Sequence, residues 1–408
     1  DLDLSGVPTE LQPIDEFPFF SFLLGDMHPH VLALPFVFVA ILLALQVLLE
    51  SRCYKKLPTS GIQKMLVILQ PLPFTNLCFC AVILGGLAFL NTWDFPIYLV
   101  ITVAAYLIGA YMRSTRDRNA WIRALILTVW LTTLGWLLYM PFYLTFRSQA
   151  SGLLPNPVFV TRLGQFMIMF GPILIPVLGW LVWNAIRYRH ALDWRIGIVT
   201  GPGVLLLLAS VCAGLSVLMV SDPLLYGHAG ESVLGRVPLE RALVLILRRR
   251  LLESPWTNVM LTMVLFVTGA LLPGTLRSHT NVVRSGGSYK NSAIAFVLIL
   301  VGCGALLTLG PDFVYLRDSF GSRLNTVFKL YFQAWVLWSV AGAFGMWHIF
   351  GRANVTMRVI FGVCVLSVLA AGLVYPTLSV WTKTIGFRGT TQIAKGRIAT
   401  LDGTAYMS

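Results

Sequence analysis

Charge is scarce in this sequence. Asp, Glu, Lys and Arg make up 12% of its 408 residues, where an ordinary soluble domain carries about 25%. A water-soluble fold of this length needs far more polar surface to cover its core. Acids are the scarcer sign, 17 against 30 Lys and Arg, leaving a net charge of +13. In a soluble protein that excess would point to nucleic acid. Here much of it sits in short loops between apolar blocks, where the positive-inside rule puts it, so no nucleic-acid partner is expected.

Other absences narrow the chemistry. The six cysteines (Cys53, Cys78, Cys80, Cys212, Cys303 and Cys364) form no CxxC pair, and all but Cys53 lie inside apolar segments. That excludes a disulfide framework or zinc site and leaves small apolar packing residues. There is no Walker A sequence, GxSxG elbow or HExxH, and nothing calls for a nucleotide, haem or flavin. The chain has no initiator Met and no basic stretch leading into an apolar signal. Its start, Asp1 to Glu16, is polar and acidic, and it ends in a Gly/Thr-rich polar tail. It reads as a piece of a longer protein.

What is present is apolar and segmented. Hydrophobic residues make up 57%, and the mean hydropathy is +0.78. About ten blocks approach the roughly 20 residues that cross a bilayer as helix. They fall near 31–50, 71–92, 95–112, 121–141, 165–187, 197–220, 255–273, 292–310, 329–350 and 357–376. Pro71 and Pro73 are expected to shorten the second. The fold expected is an all-α polytopic transmembrane helix bundle over 31–376. A lead-in loop over 1–30 precedes it, and a tail over 377–408 leads toward a further domain.

Short basic loops (Ser51–Lys56, Arg113–Arg118, Arg187–His190, Arg277–Lys290, Gly351–Arg352) go to the cytoplasm by the same rule. Ten spans then put both termini outside, in the plasma membrane. The outer face receives Asp26–His30, Asn91–Pro96, Phe142–Thr161, Ser221–Ser254 and Pro311–Lys329, with most of the acids. Among the inner loops only Asp117 and Asp193 stand out. Within the outer loop 221–254, a helix starting at Pro238 is expected to lie in the interface plane. Arg241, Arg248 and Arg249 would form its polar side, either as a headgroup anchor or as a basic wall for a lipid phosphate.

Three outer motifs can carry chemistry. In Glu16-Phe-Pro-Phe-Phe-Ser-Phe-Leu-Leu-Gly-Asp26-Met-His28-Pro-His30, the carboxylate and two imidazoles alternate. They share a face if the segment is extended, and could act as acid and base or, through Asp26 and His30, bind a divalent metal. If Pro29 instead opens a helix, Asp26 is its cap. Asn91-Thr-Trp-Asp94-Phe-Pro96 is a tight turn whose Asp94 is a helix-start signal. The stretch Pro311–Trp335 carries Asp312, Asp318, Arg323, Asn325, Lys329 and Gln333 into the top of a span. Polar groups at such depth usually face a cavity, and Arg and Lys there suit a phosphate, unless they merely snorkel.

Glu16–Pro35, Asn91–Pro96 and Asp318–Trp335, with the tail Thr400–Met407, resemble the "YYY" family of large multi-pass membrane proteins. The family's tyrosine-rich motif is absent here; Leu224-Leu-Tyr-Gly-His228 is a faint echo. That family is distantly similar to GT-C glycosyltransferases. The resemblance implies a GT-C-like fold and an outward-facing site taking sugar from a polyprenyl-phosphate donor, often with Mg or Mn. Asp26 would then be base or metal ligand, helped by His28 and His30. Arg323 and Lys329 would hold the donor phosphate, with Asn325, Asp94 and Asp318 supporting. The competing readings are a transporter or lipid flippase, which predicts polar residues near the midplane, and a non-catalytic assembly subunit.

Overall fold

The computed structural model describes residues 17–25, 28–53, 61–114, 117–148, 152–221, 239–277, 288–318 and 322–382. Asp26, the residues of 222–238 and the tail beyond 382 lie outside them. Among the described residues ten helices are long and apolar enough to cross a membrane. The all-α bundle expected from hydropathy is therefore what the chain forms, and every one of the ten blocks coincides with a span.

The first helices are α1 (Pro18–Leu24), α2 (Pro29–Cys53), α3 (Gly61–Leu69), α4 (Phe74–Leu90), α5 (Asp94–Arg113) and α6 (Ala120–Leu138). After the short α7 (Met140–Tyr143) come α8 (Leu163–Arg187), α9 (Trp194–Ile198) and α10 (Val204–Ser221). The amphipathic helix α11 (Leu239–Arg248) is followed by α12 (Trp256–Arg277), α13 (Ser288–Leu309), α14 (Leu324–Arg352) and α15 (Val355–Trp381). The expected break at Pro71 and Pro73 separates α3 from α4, because a proline removes a backbone donor and restricts the residue before it. In the sixth span a π-helical turn over Val199–Gly203 holds Pro202. Thr200 ties that turn to the seventh span by donating 3.1 Å to the Leu265 carbonyl.

The lead-in is not all loop, as α1 occupies part of it. Pro18 fits its first turn, where a missing N–H costs nothing, and Gly25 ends it in the left-handed conformation at φ 67°. The last helix also runs on to Trp381, beyond the expected boundary at 376.

α13 is the most enclosed span, its best apolar window 61% buried, whereas α15 is only 6% buried and lies at the periphery. α2 and α5 form the most extensive helix pair. Gly109 lets them approach, since a Cβ there would run into Ser51 Oγ and the Leu48 carbonyl. Small residues commonly set such contacts in membranes, where backbones pack closely without a hydrophobic driving force.

At one end, two loop segments pair as an antiparallel ribbon, β1 (Leu153–Pro155) with β2 (Val314–Leu316). At the other end Asp117 receives Arg113 at 2.8 Å and Arg123 at 2.5 Å. Arg123 also donates 2.9 Å to the Tyr106 hydroxyl. One of the two acids singled out among the basic loops is thus a brace between α5 and α6. Burial alone would raise the Asp117 carboxyl, but the hydrogen bonds from Arg123 and Arg113 prevail and hold it below the ordinary carboxylate range.

Candidate functional site

Helical spacing sorts the polar residues of α14 into two faces. Asn325, Lys329 and Gln333 recur every four residues and so share one face. Arg323 lies two residues before Asn325, about 200° round the helix. The structure respects this division.

The three sequence motifs meet on this side of α14, His30 against Phe328 and Phe332, which lie about 100° round the helix from Lys329 and Gln333. His30 is buried in the first turn of α2. Its ring stands edge-on to Phe332 at 4.6 Å and to Phe328 at 4.9 Å, both on α14. Ser21 of α1 completes the setting, its Oγ 3.4 Å from His30 Nε2. His28 is exposed, its ring 5.3 Å from that of His30. Asp26 lies outside the described residues, and from His28 on the chain does not continue as the extended segment the shared-face reading required. Pro29 opens a helix, with Val31 N–H donating 2.9 Å to the His28 carbonyl.

A quarter-turn further round α14, Gln333 donates 2.8 Å to Asp94 Oδ1 and accepts 2.5 Å from the Tyr98 hydroxyl. Asn91 donates a second bond, 2.9 Å, to the same Asp94 oxygen. Asp94 is fully buried, and its Oδ2 has no hydrogen-bond partner among the described residues. It opens α5 but does not cap it with its side chain. Its carboxylate is turned into the bundle instead. Lys329 sits 4.7 Å over the Trp93 ring and within electrostatic reach of both Asp318 and Asp94. Asp318 accepts 2.6 Å from Asn325. A buried carboxylate with one oxygen satisfied and one unpartnered is suited to holding a proton.

Arg323 belongs to a different cluster. It donates 2.9 Å to buried Asp312, which also accepts 2.7 Å from the Thr161 hydroxyl. Thr161 in turn lies 3.1 Å from the Tyr331 hydroxyl. Arg250, from the π-helical turn that extends α11, reaches into the same knot. It donates 2.7 Å to the Pro157 carbonyl, 2.6 Å to the Asp312 carbonyl, and to the Asn156 carbonyl. Burial pushes the Arg250 guanidinium below its ordinary value, with Asp312 pulling the other way. Arg323 is thus engaged by a carboxylate instead of lining the face that holds His30, Lys329 and Asp94.

Arg250, Thr161 and Tyr98 escaped the sequence reading. A signal existed for Arg250: three consecutive arginines on an interfacial helix span about 200°, so they cannot all share its polar side. Among the described residues no group of three His, Cys, Asp or Glu is placed to hold a metal. Asp26, half of the expected metal pair, lies outside them. His30 is packed against two rings and a hydroxyl, so the described residues do not themselves make up a metal site.

An apolar groove of about 870 Å³ opens between α1, α8 and α15. Phe20, Leu23, Met169, Pro172 and Tyr375 line it, and Trp335 of α14 closes its inner wall. Phe17 and Tyr375, with ring centroids 4.5 Å apart, join α1 to α15 across it.

Ten apolar helices, polar loops knotted at one end and a basic brace at the other define a polytopic helical membrane protein. The family described as uncharacterized membrane protein (DUF2298) matches residues 11–338, and the chain belongs to it. No curated protein and no solved structure matches the chain.

Proposed function

We propose that the protein is a membrane glycosyltransferase that takes a sugar from a polyprenyl-phosphate-linked donor at the acid-bearing, extracytoplasmic end of the bundle. The observation that carries this reading is the meeting of Lys329 and Gln333 with Asp94, on a helix, α14, that also packs on His30 through Phe328 and Phe332 and reaches an apolar groove through Trp335. A donor of this class has an apolar tail, a phosphate and a reacting sugar, and each part has a counterpart there. The tail lies along the groove. Lys329, held over Trp93, faces the phosphate as a point charge and stabilises the charge that builds on it as the glycosidic bond breaks. The open oxygen of Asp94 accepts the proton of the attacking hydroxyl, with Gln333 and Asn91 fixing the carboxylate's orientation.

Arg323 keeps its partner Asp312 and braces the loops above the site. Asp26, which the resemblance makes base or metal ligand, is kept as the candidate metal ligand. Purified protein in liposomes, given a polyprenyl-phosphate-linked sugar and a hydroxyl-bearing acceptor, is expected to join the sugar to that hydroxyl and release the polyprenyl phosphate. Lys329→Met removes a charge-assisted contact of about 1.5–3 kcal/mol, so kcat/KM should fall roughly 10- to 100-fold. Undiminished turnover in both Asp94→Asn and Lys329→Met would overturn the assignment, as would failure of the wild-type protein to consume any such donor.

A further inference from the structure

Asp94, Tyr98 and Thr102 recur every four residues along α5 and so share one face. All three are buried, as is Gln333 of α14. The Gln333 amide lies between the other two functional groups of this cluster. Its Nε2 donates 2.8 Å to Asp94 Oδ1, and its Oε1 accepts 2.5 Å from the Tyr98 hydroxyl.

A side-chain amide donates at one end and accepts at the other. A phenol has a single hydrogen to give. With that hydrogen sent to Oε1, the amide presents Nε2 to Asp94. This direction suits an ionised carboxylate, which only accepts. A proton on Asp94 Oδ1 would face the Nε2 hydrogens unless the amide turned end for end. Turning it would break the bond from Tyr98 and oblige the phenol to send its hydrogen elsewhere, and a buried donor left unmade is costly.

Other groups bear on the same carboxylate. Asn91 donates 2.9 Å to Oδ1, and Lys329 of α14 is a cation within electrostatic reach. The Cys303 thiol of α13 lies within reach of Tyr98. From α2, His30 packs on Phe332 of α14. Lys329 acts on Asp94 through charge, whereas Tyr98 acts through the direction of a hydrogen-bond chain.

We propose that Tyr98 is a positioning residue, whose hydroxyl holds the donor end of Gln333 toward Asp94 and so keeps that carboxylate in the form that can take a proton. The role of Asp94 as base rests on the transferase reading; the hold on the amide does not.

Infrared difference spectra of the purified chain in detergent report the C=O stretch of a protonated carboxyl, assigned to Asp94 by its loss in Asp94→Asn. At a fixed pH within the titration, Tyr98→Phe should raise the ratio of protonated to ionised Asp94 about tenfold, the equivalent of one net hydrogen bond. In a Gln333→Leu background the same substitution should change the ratio little, because no amide remains to be turned, and the double-mutant cycle isolates that coupling. Replacing Tyr98 by 3-fluorotyrosine keeps the hydroxyl and makes it a stronger donor, so the ratio should fall below that of wild type. An unchanged ratio in Tyr98→Phe, an equal rise with and without Gln333, or a fluorotyrosine ratio at or above wild type would overturn the inference, whatever the transfer assay shows. The expected ratios in a chain that consumes no polyprenyl-phosphate-linked sugar would uphold the hold on the amide and overturn the transferase reading.

Discussion

Gln333 and Asp94 stand 239 positions apart in the chain, yet the amide of one donates 2.8 Å to the carboxylate of the other. The bond joins the ninth span to the third at the level where the three sequence motifs meet. Through Tyr98 it continues into α5. The orientation of the Asp94 carboxylate therefore depends on a helix far away in sequence.

Asp94→Asn is expected to leave the bundle folded, because an asparagine can still accept from Gln333 through its carbonyl oxygen. Sugar transfer should fall by about 10²- to 10⁴-fold, the range for loss of a general base. Gln333→Leu should give a smaller loss of turnover together with lower stability. Parallel assays of turnover in liposomes and thermal unfolding in detergent distinguish the two effects.

Arg323→Met strands Asp312 as a buried carboxylate, and breaking a buried pair from one side costs about 3–5 kcal/mol. The double variant Arg323→Met/Asp312→Leu should recover much of that loss, since paired apolar replacements are often neutral. Unfolding titrations of the single and double variants measure the difference. Equal instability in both would mean that the pair is not what holds the outer loops together.

Asp117 sets a pH dependence at the other end. Its carboxyl is held below the ordinary carboxylate range, so the native state favours the ionised form. The stability it contributes is fully present above the unfolded-state pKa of about 3.9 and is lost as pH falls through the lower folded value. The melting temperature of wild type should therefore exceed that of Asp117→Asn by a constant amount from neutral pH down to about 5, and the gap should close on further acidification.

Gly109→Ala forces a methyl group toward the Leu48 carbonyl, backbone that cannot swing aside. Overpacking of this kind costs about 1–3 kcal/mol. The same change at Gly164, where a Cβ meets nothing within 4 Å, should be close to neutral and serves as the control in the same unfolding assay.

The spans were legible in the sequence because each must be apolar over its whole length, a constraint that leaves a local mark. The shortening at Pro71 and Pro73 was legible too, and so was an amphipathic helix just after Pro238. Partner choice was not. Asp94 announces a helix start, yet its carboxylate leaves that helix end for Gln333. Arg323 seemed part of the polar run beginning Asn325, although two residues of helical rotation carry it to the other side. Arg250 looked like one more surface arginine until burial distinguished it from its neighbours. These are long-range pairings, and a single chain records which residues it holds without recording which of them face each other. The four-residue rhythm of Asn325, Lys329 and Gln333 was the exception, since it marks one face outright.

The wall of the groove formed by α15 has a consequence for how a lipid would arrive. That helix packs on the bundle along one edge, against α8 and α1, and most of its surface is exposed, so the proposed lipid would meet the groove from that side. A long-chain molecule can then slide in sideways, tail within the hydrocarbon throughout and headgroup travelling along the interface. No aqueous mouth has to admit something water would reject.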